Sequence, residues 1–265
     1  MKEHINLNAY DSYEVFTDSE SVNNYRISKL KSCQKHIDLI KQESGGNKVN
    51  ILELGSGNSK VLVNLHQHGL LNRGWGIEVS KSRFDFATKW TDDLQIGNIE
   101  NINDDLINFD YDSLSELDVC LCVDLCFQFL EPIQKESDEL VLKKVYSKLK
   151  SGGKIILELD YCGYIISNLP YTGKIWEEFA ETDPWKYSLW NCDFDQSTKI
   201  LNWNKTFISR ENEYESTSIY LKIYDKDDIE SLLNKIGFKN IRIYQDWNYT
   251  PFSKQFGEFI IIAEK

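Results

Sequence analysis

Two carboxylates and a pair of glycines carry the first recognisable chemistry in this chain. Glu53 is followed by Leu54, Gly55, Ser56, Gly57, Asn58 and Ser59, and the apolar run Asn50 to Leu54 has the length of a buried strand. Glycines placed there let a ligand come close to the backbone, since no Cβ stands in the way, and Asn58 and Ser59 are residues that start helices. A strand that breaks into such a turn and then opens a helix is the first unit of a nucleotide-binding α/β fold. Glu78 lies 21 residues beyond Gly57, at the end of the stretch Trp75 to Val79. At that spacing a strand-end carboxylate accepts hydrogen bonds from ribose hydroxyls.

Charge narrows the ligand. A dinucleotide fingerprint needs a third glycine at position 60, which is Lys60. A carboxylate at Glu53 repels a pyrophosphate at close range and suits a positively charged ligand, such as the ammonium and sulfonium of S-adenosylmethionine. A glycine turn without a ligand and a merely solvated strand-end acid are the plain alternatives.

The elements that must position these residues follow from periodicity. Ser19 to Gln42 has helical spacing and stops at Gly45-Gly46; Val61 to His68 is a helix stopped by Gly69. Trp75 to Val79 and the nearly all-apolar Leu117 to Val123 read as strands, the latter central. A helix over Glu136 to Lys150 precedes a strand over Lys154 to Leu159. From Asp160 to Tyr224 aromatic residues and chain breakers intervene, with strand alternation in Leu201 to Ile208 and Ser218 to Tyr224. Asp225 to Ile236 is a capped helix, and Ile241 to Trp247 and Phe259 to Ala263 are strands. Strands alternating with helices point to a doubly wound sheet.

Composition sets limits. A chain of 265 residues with 41% hydrophobic and 27% charged residues is an ordinary globular protein able to bury a core. Its 42 acidic against 30 basic residues, net −12, match a phosphate backbone badly and argue against nucleic acid. No apolar run approaches a membrane span, and no signal peptide is read. The cysteines read as buried thiols, Cys120 and Cys122 on one strand face, and so favour a reducing compartment; the expected location is cytoplasmic. His66 and His68 point to different helix faces and are not a metal pair, so no metal is expected.

Glu53-Leu-Gly55-Ser-Gly57-Asn-Ser59 resembles motif I of the class I S-adenosylmethionine-dependent methyltransferases, with Ser59 in place of the third glycine. Gly76-Ile-Glu78-Val79-Ser80 resembles their motif II, Leu94-Gln-Ile96-Gly97-Asn98-Ile99 their motif III, and Asp124 stands at motif IV. Leu149-Lys150-Ser151-Gly152-Gly153 is similar to their L-K-P-G-G turn, and Ala9-Tyr10-Asp11-Ser12-Tyr13 to an N-terminal segment that folds over the cofactor. The resemblance covers about residues 49–160 and 225–264 and implies an α/β, doubly wound, seven-stranded, mostly parallel Rossmann-like sheet with an antiparallel last strand. The insert between is not diagnostic of the family; its strand alternation, after strand five, reads as a β-rich cap. The expected organisation is a single domain: residues 1–45 as flap and helix, 46–160 as cofactor half, 161–224 as cap and 225–265 completing the sheet.

For the site, the resemblance implies S-adenosyl-L-methionine held by Tyr10, Glu53, Gly55, Ser56, Gly57, Ser59, Glu78, Val79, Asn98, Ile99 and Asp124. The acceptor is expected to be a small polar molecule methylated at an amine or hydroxyl (a sugar or sugar nucleotide among the options), by a monomer or homodimer that engages neither nucleic acid nor membrane. No histidine follows motif IV or lies in the insert, so the candidate bases are Asp124, Asp160, Tyr161 and Tyr13. Two other readings stand beside this one. A nicotinamide oxidoreductase shares the acid after strand two and has a superficial Tyr146-x-x-x-Lys150 pair; a catalytically silent S-adenosylmethionine-binding subunit shares every cofactor residue.

Overall fold

The structure is a computed structural model that describes residues 14, 16, 18–160, 174–179, 185–253 and 257–265. Seven strands form one sheet: β1 (Val49–Leu54), β2 (Leu71–Ile77), β3 (Ile99–Ile102), β4 (Leu117–Cys122), β5 (Leu149–Asp160), β10 (Lys239–Tyr244) and β11 (Glu258–Glu264). Their order is β10-β11-β5-β4-β1-β2-β3. The pairs from β3 to β5 are parallel, while β11 runs antiparallel to both β5 and β10. This is the mostly parallel sheet with an antiparallel last strand expected from the sequence. Central strands β1 and β4 are covered on both sides, which is why their runs are apolar almost throughout.

Helices α2 (Gln34–Glu43) and α3 (Lys60–Gln67) cover one face through Ile37, Ile40, Val61, Leu62 and Leu65. On the other face lie α6 (Ser137–Lys148), after the one-turn helix α5 (Leu130–Ile133), and α7 (Lys226–Ile236), packed through Val141, Leu142, Val145, Ile229 and Leu233. The single helix expected from Ser19 to Gln42 is two, α1 (Ser19–Ser32) and α2. The chain bends at Cys33, fully buried with its Sγ 3.5 Å from the Lys60 carbonyl. The bend lets α2 lie against the sheet while α1 packs by Val22, Tyr25 and Leu30 on Phe86 and Trp90, the latter two from α4 (Lys81–Asp93). Glu43, at the end of α2, pairs with Arg242 at 2.9 and 2.7 Å and with Lys154 at 2.9 Å, fastening that helix across β5 and β10.

Strand β5 starts earlier than its sequence suggests. Leu149 already pairs with Leu117, and the register then shifts before Val119 meets Lys154. The intervening turn needs both glycines: Gly152 has φ +75°, and a Cβ on Gly153 would sit 2.9 Å from the Lys150 carbonyl oxygen.

The insert after β5 is a separate antiparallel sheet of four strands, β6 (Lys174–Glu178), β7 (Trp185–Asp195), β8 (Ile200–Ser209) and β9 (Tyr214–Lys222). Its last two strands were legible as alternation, whereas β6 and β7 lie in the aromatic stretch. Its base packs Leu201, Leu221 and Ile223 against Phe129. Gln128, fully buried, clamps both ends of the insert: its Oε1 accepts the Asp160 N–H at 2.8 Å and its Nε2 donates to the Lys222 carbonyl at 2.8 Å. Among the described residues no helix is long and apolar enough to cross a membrane.

Candidate functional site

A cavity of about 410 Å³ opens at the carboxyl ends of β1, β2 and β4, where ligands bind in open α/β sheets. It is of the size that holds small molecules. Glu53, Gly55, Ser56, Gly57, Glu78, Val79 and Asp124 all line it. The backbone turns out of β1 with φ +65° at Gly55 and +54° at Gly57, both in the left-handed region that glycine adopts without strain.

Glu53 is buried at 1% exposure, and its Oε2 has no hydrogen-bond partner among the described residues. Burial pushes its carboxyl up to about 8; Lys60 opposes the shift, while Asp124 and Glu78 add to it. Glu78 is held by the glycine turn itself: Oε2 accepts the Gly57 N–H and Oε1 the Ser80 N–H, each at 2.8 Å. These two bonds orient the carboxylate and tie β2 to the loop after β1. Replacing Glu78 with Ala should therefore weaken binding of a ribose-bearing ligand by tenfold or more, from the loss of a charge-assisted bond of about 1.5–3 kcal/mol and of the loop's anchor. Calorimetric titration with S-adenosylhomocysteine checks this, and unchanged affinity in a folded variant removes Glu78 from the site.

Asp124 follows β4 with φ +53°, held by its N–H to the Glu158 Oε2 at 2.8 Å. Its Oδ2 lies 2.6 Å from the Lys60 ammonium. Partial burial works against ionisation of Asp124, but Lys60 outweighs it and keeps the carboxyl below its usual range. Lys60, which in the sequence marks only a missing glycine, is thus the cation that ties α3 to the loop after β4. Asp160, at the end of β5, is pushed up to about 7 by burial, then by Glu258 and Glu158.

Three expected contacts are placed elsewhere. Asn98 and Ile99 are at the amino end of β3, because the parallel register sets Ile99 beside Gly74 and Ile102 beside Ile77. Asn98 there bonds the Leu71 and Asn72 carbonyls at 3.3 and 3.1 Å, on the sheet edge away from the cavity. Asp105 and Leu106, beyond the carboxyl end of β3, occupy the cavity wall instead. The signal for them was the polar turn Asn103-Asp104-Asp105 directly after the strand, one element later than the motif read from sequence. Ser59, with φ +60°, is fully buried, and its hydroxyl donates to Asn101 Oδ1 at 2.6 Å rather than facing the cavity. Tyr10, Tyr13 and Tyr161 lie outside the described residues.

Glu14 and Tyr25, also on the wall, had no sequence signal: Glu14 Oε1 accepts the Tyr25 hydroxyl at 2.6 Å and the Asn58 Nδ2 at 2.8 Å, which ties Glu14 and α1 to the glycine turn. The Tyr146 and Lys150 pair is not at this site. Tyr146 donates to the Gly237 carbonyl at 3.3 Å and Lys150 pairs with Asp118.

Neither a protein-family model nor a curated protein matches the sequence. Solved structures do match the fold. An S-adenosylmethionine-dependent methyltransferase from Clostridium acetobutylicum superposes with a TM-score of 0.71 at 17% identity, over 87% of this chain and 91% of that one. The CcbJ methyltransferase from Streptomyces caelestis gives 0.66 at 15% identity, over 82% and 83%. Magnesium protoporphyrin IX methyltransferase from Synechocystis, solved with S-adenosylhomocysteine (SAH) bound, gives 0.55 at 11% identity, over 97% of each chain. This chain has the class I methyltransferase fold.

Proposed function

We propose that the chain is an S-adenosylmethionine-dependent methyltransferase acting on an amine or hydroxyl of a small polar molecule. The observation that carries the proposal is Glu53: a buried carboxyl on the wall of the cavity with one oxygen unpartnered among the described residues, beside two left-handed glycines. A cationic amino-acid moiety supplies the missing partner and draws the carboxyl into its ionised form, whereas a phosphate-bearing dinucleotide opposes that ionisation. Glu53 and the turn Gly55 to Gly57 would hold that moiety, Glu78 the ribose, and Val79 and Leu106 the faces of the base. When bound, the cofactor supplies a methyl group activated by its positively charged sulfur.

The protein's own part is then alignment and exclusion of water. Asp124, kept ionised by Lys60, orients the acceptor from the loop after β4. Asp160, at the carboxyl end of β5 though not among the residues that line the cavity, stands with Asp124, Tyr13 and Tyr161 as the proposed bases that would take a proton from a hydroxyl acceptor. The four-stranded insert leaves from the carboxyl end of β5 and rests on Phe129, a residue of the cavity wall, which supports its role as a cap selecting the acceptor. The Tyr10 segment is proposed as the flap.

Radiolabelled methyl transfer into fractionated metabolites tests this reading. Binding of SAH together with label in a small-molecule fraction is the expected result. Binding without transfer to any fraction favours the silent-subunit reading, and absence of binding removes both. Label transferred to RNA or DNA contradicts the small-molecule acceptor, against which the net charge of −12 already speaks.

A further inference from the structure

Past Asp124 the carboxyl edge continues into a second cavity of about 190 Å³, lined among others by Lys35, Glu158, Trp247 and Glu258. The two cavities share a wall, because Glu158 accepts the Asp124 N–H at 2.8 Å and Asp124 lines the larger one. Among the described residues the lining of the smaller cavity is unbalanced in charge: three acids, Glu158, Asp246 and Glu258, stand against one cation, Lys35. Asp160 stands directly across from Glu258 in the antiparallel pair β5/β11. Burial pushes both carboxyls up, and the neighbouring carboxylates push them further.

Lys35 shows what the cavity accepts. Its ammonium lies 3.5 Å from Glu158 Oε1 and over the Trp247 ring, 5.6 Å from the centroid. A carboxylate beside an aromatic face is the arrangement that receives organic ammonium groups. The indole is fixed in that pose, since its Nε1–H donates to Glu158 Oε1 at 2.9 Å. Lys35 is itself loosely held: its side chain is 45% exposed and its ion pair is long.

A second contact holds the Trp247 ring from behind. His36, the next residue on α2, is 1% exposed, and neither of its ring nitrogens has a hydrogen-bond partner among the described residues. Its imidazole stands edge-on to Trp247, with centroids 4.2 Å apart and planes at 78°. The imidazole thus backs the indole on the side of α2 and helps hold the Trp247 face where it lines the cavity.

We infer that this cavity is the acceptor's recognition subsite and that it takes a cationic amine, seated between the Trp247 face and the carboxylates of Glu158 and Glu258 once Lys35 swings out. The inference rests on the methyltransferase reading and adds the acceptor's chemical class: a molecule carrying a primary or secondary ammonium group beside the atom that is methylated.

The test divides a metabolite extract of the source cells on a cation exchanger, then offers the retained and unretained fractions with labelled S-adenosylmethionine. Label is expected in the retained fraction. At limiting amounts of that fraction, Glu258→Gln should lower the initial rate about fivefold or more, and Lys35→Ala, which removes the internal competitor, should raise it severalfold. SAH affinity should stay within twofold in both variants. Opposite effects of two exposed or half-exposed substitutions are not what a merely structural role produces. Label in the unretained fraction, no label in either while SAH binds, or equal rates in both variants overturns the subsite. Failure of the wild-type protein to bind SAH instead removes the methyltransferase reading, and the subsite with it.

Discussion

Replacing Glu53 with Gln is expected to stabilise the free protein at alkaline pH while it costs the protein its cofactor. The carboxyl of Glu53 titrates near 8 in the fold against 4.5 in an unfolded chain. Between those values the folded state binds the proton more tightly, so stability falls as pH rises through this window and stays lowered above 8. Gln keeps the shape and cannot ionise, so the variant's Tm advantage over the wild type should be absent near pH 4 and grow towards pH 8.5. Binding changes the other way. A cation next to the ionised carboxylate is worth on the order of 1.5–3 kcal/mol, so affinity should fall by roughly tenfold to a hundredfold. Below pH 8 the wild type must also release a proton when a cation binds, so its affinity should climb with pH and level off beyond 8; the variant should lose that slope. Thermal melts and calorimetry at a series of pH values read both effects. A Gln variant that binds S-adenosylhomocysteine with the wild-type affinity and slope would take Glu53 out of the site.

A second large effect is expected from Gly55→Ala. The residue has φ +65°, and an added Cβ would overlap Cys126 Sγ and come within 2.9 Å of Cys126 Cβ. The left-handed conformation alone costs an alanine about 1–2 kcal/mol, and pushing Cys126 aside raises the total to roughly 2–4 kcal/mol, within the range of severe single substitutions. Urea unfolding should show that loss, and cofactor affinity should drop with it because the turn after β1 and the short turn after β4 are displaced together. Adding Cys126→Ala should return the part due to the Sγ overlap and leave the conformational part together with the tight contact to the Cβ that alanine keeps. A Gly55→Ala protein as stable as the wild type contradicts this account of the turn.

What could be read without coordinates came from local rules. The period of apolar residues and the glycine punctuation placed six of the seven core strands, the capped helix α7 and the glycine turn, because each depends on neighbours only a few residues apart. Glu53, Gly55, Gly57, Glu78 and Asp124 were legible for the same reason: each sits at a strand end, and parallel strands bring their carboxyl ends to one edge. Asn98 was misplaced because the short strand β3 has little pattern of its own. Only its register against β2 shows that the chain reaches the cavity at Asp105 and Leu106.

Tertiary structure alone decided the rest. The turn at Cys33 sets α2 so that Lys35 and His36 reach Trp247, more than two hundred residues away along the chain. The Lys60–Asp124 pair and the Glu158 bond to Asp124 join loops from different strands. The two sheets meet through Gln128 and Phe129, which no periodicity marks. Sequence patterns report which way a side chain faces within its own element. Charges and unpartnered polar groups acquire their meaning from what lies across the gap, and that distance is set by packing.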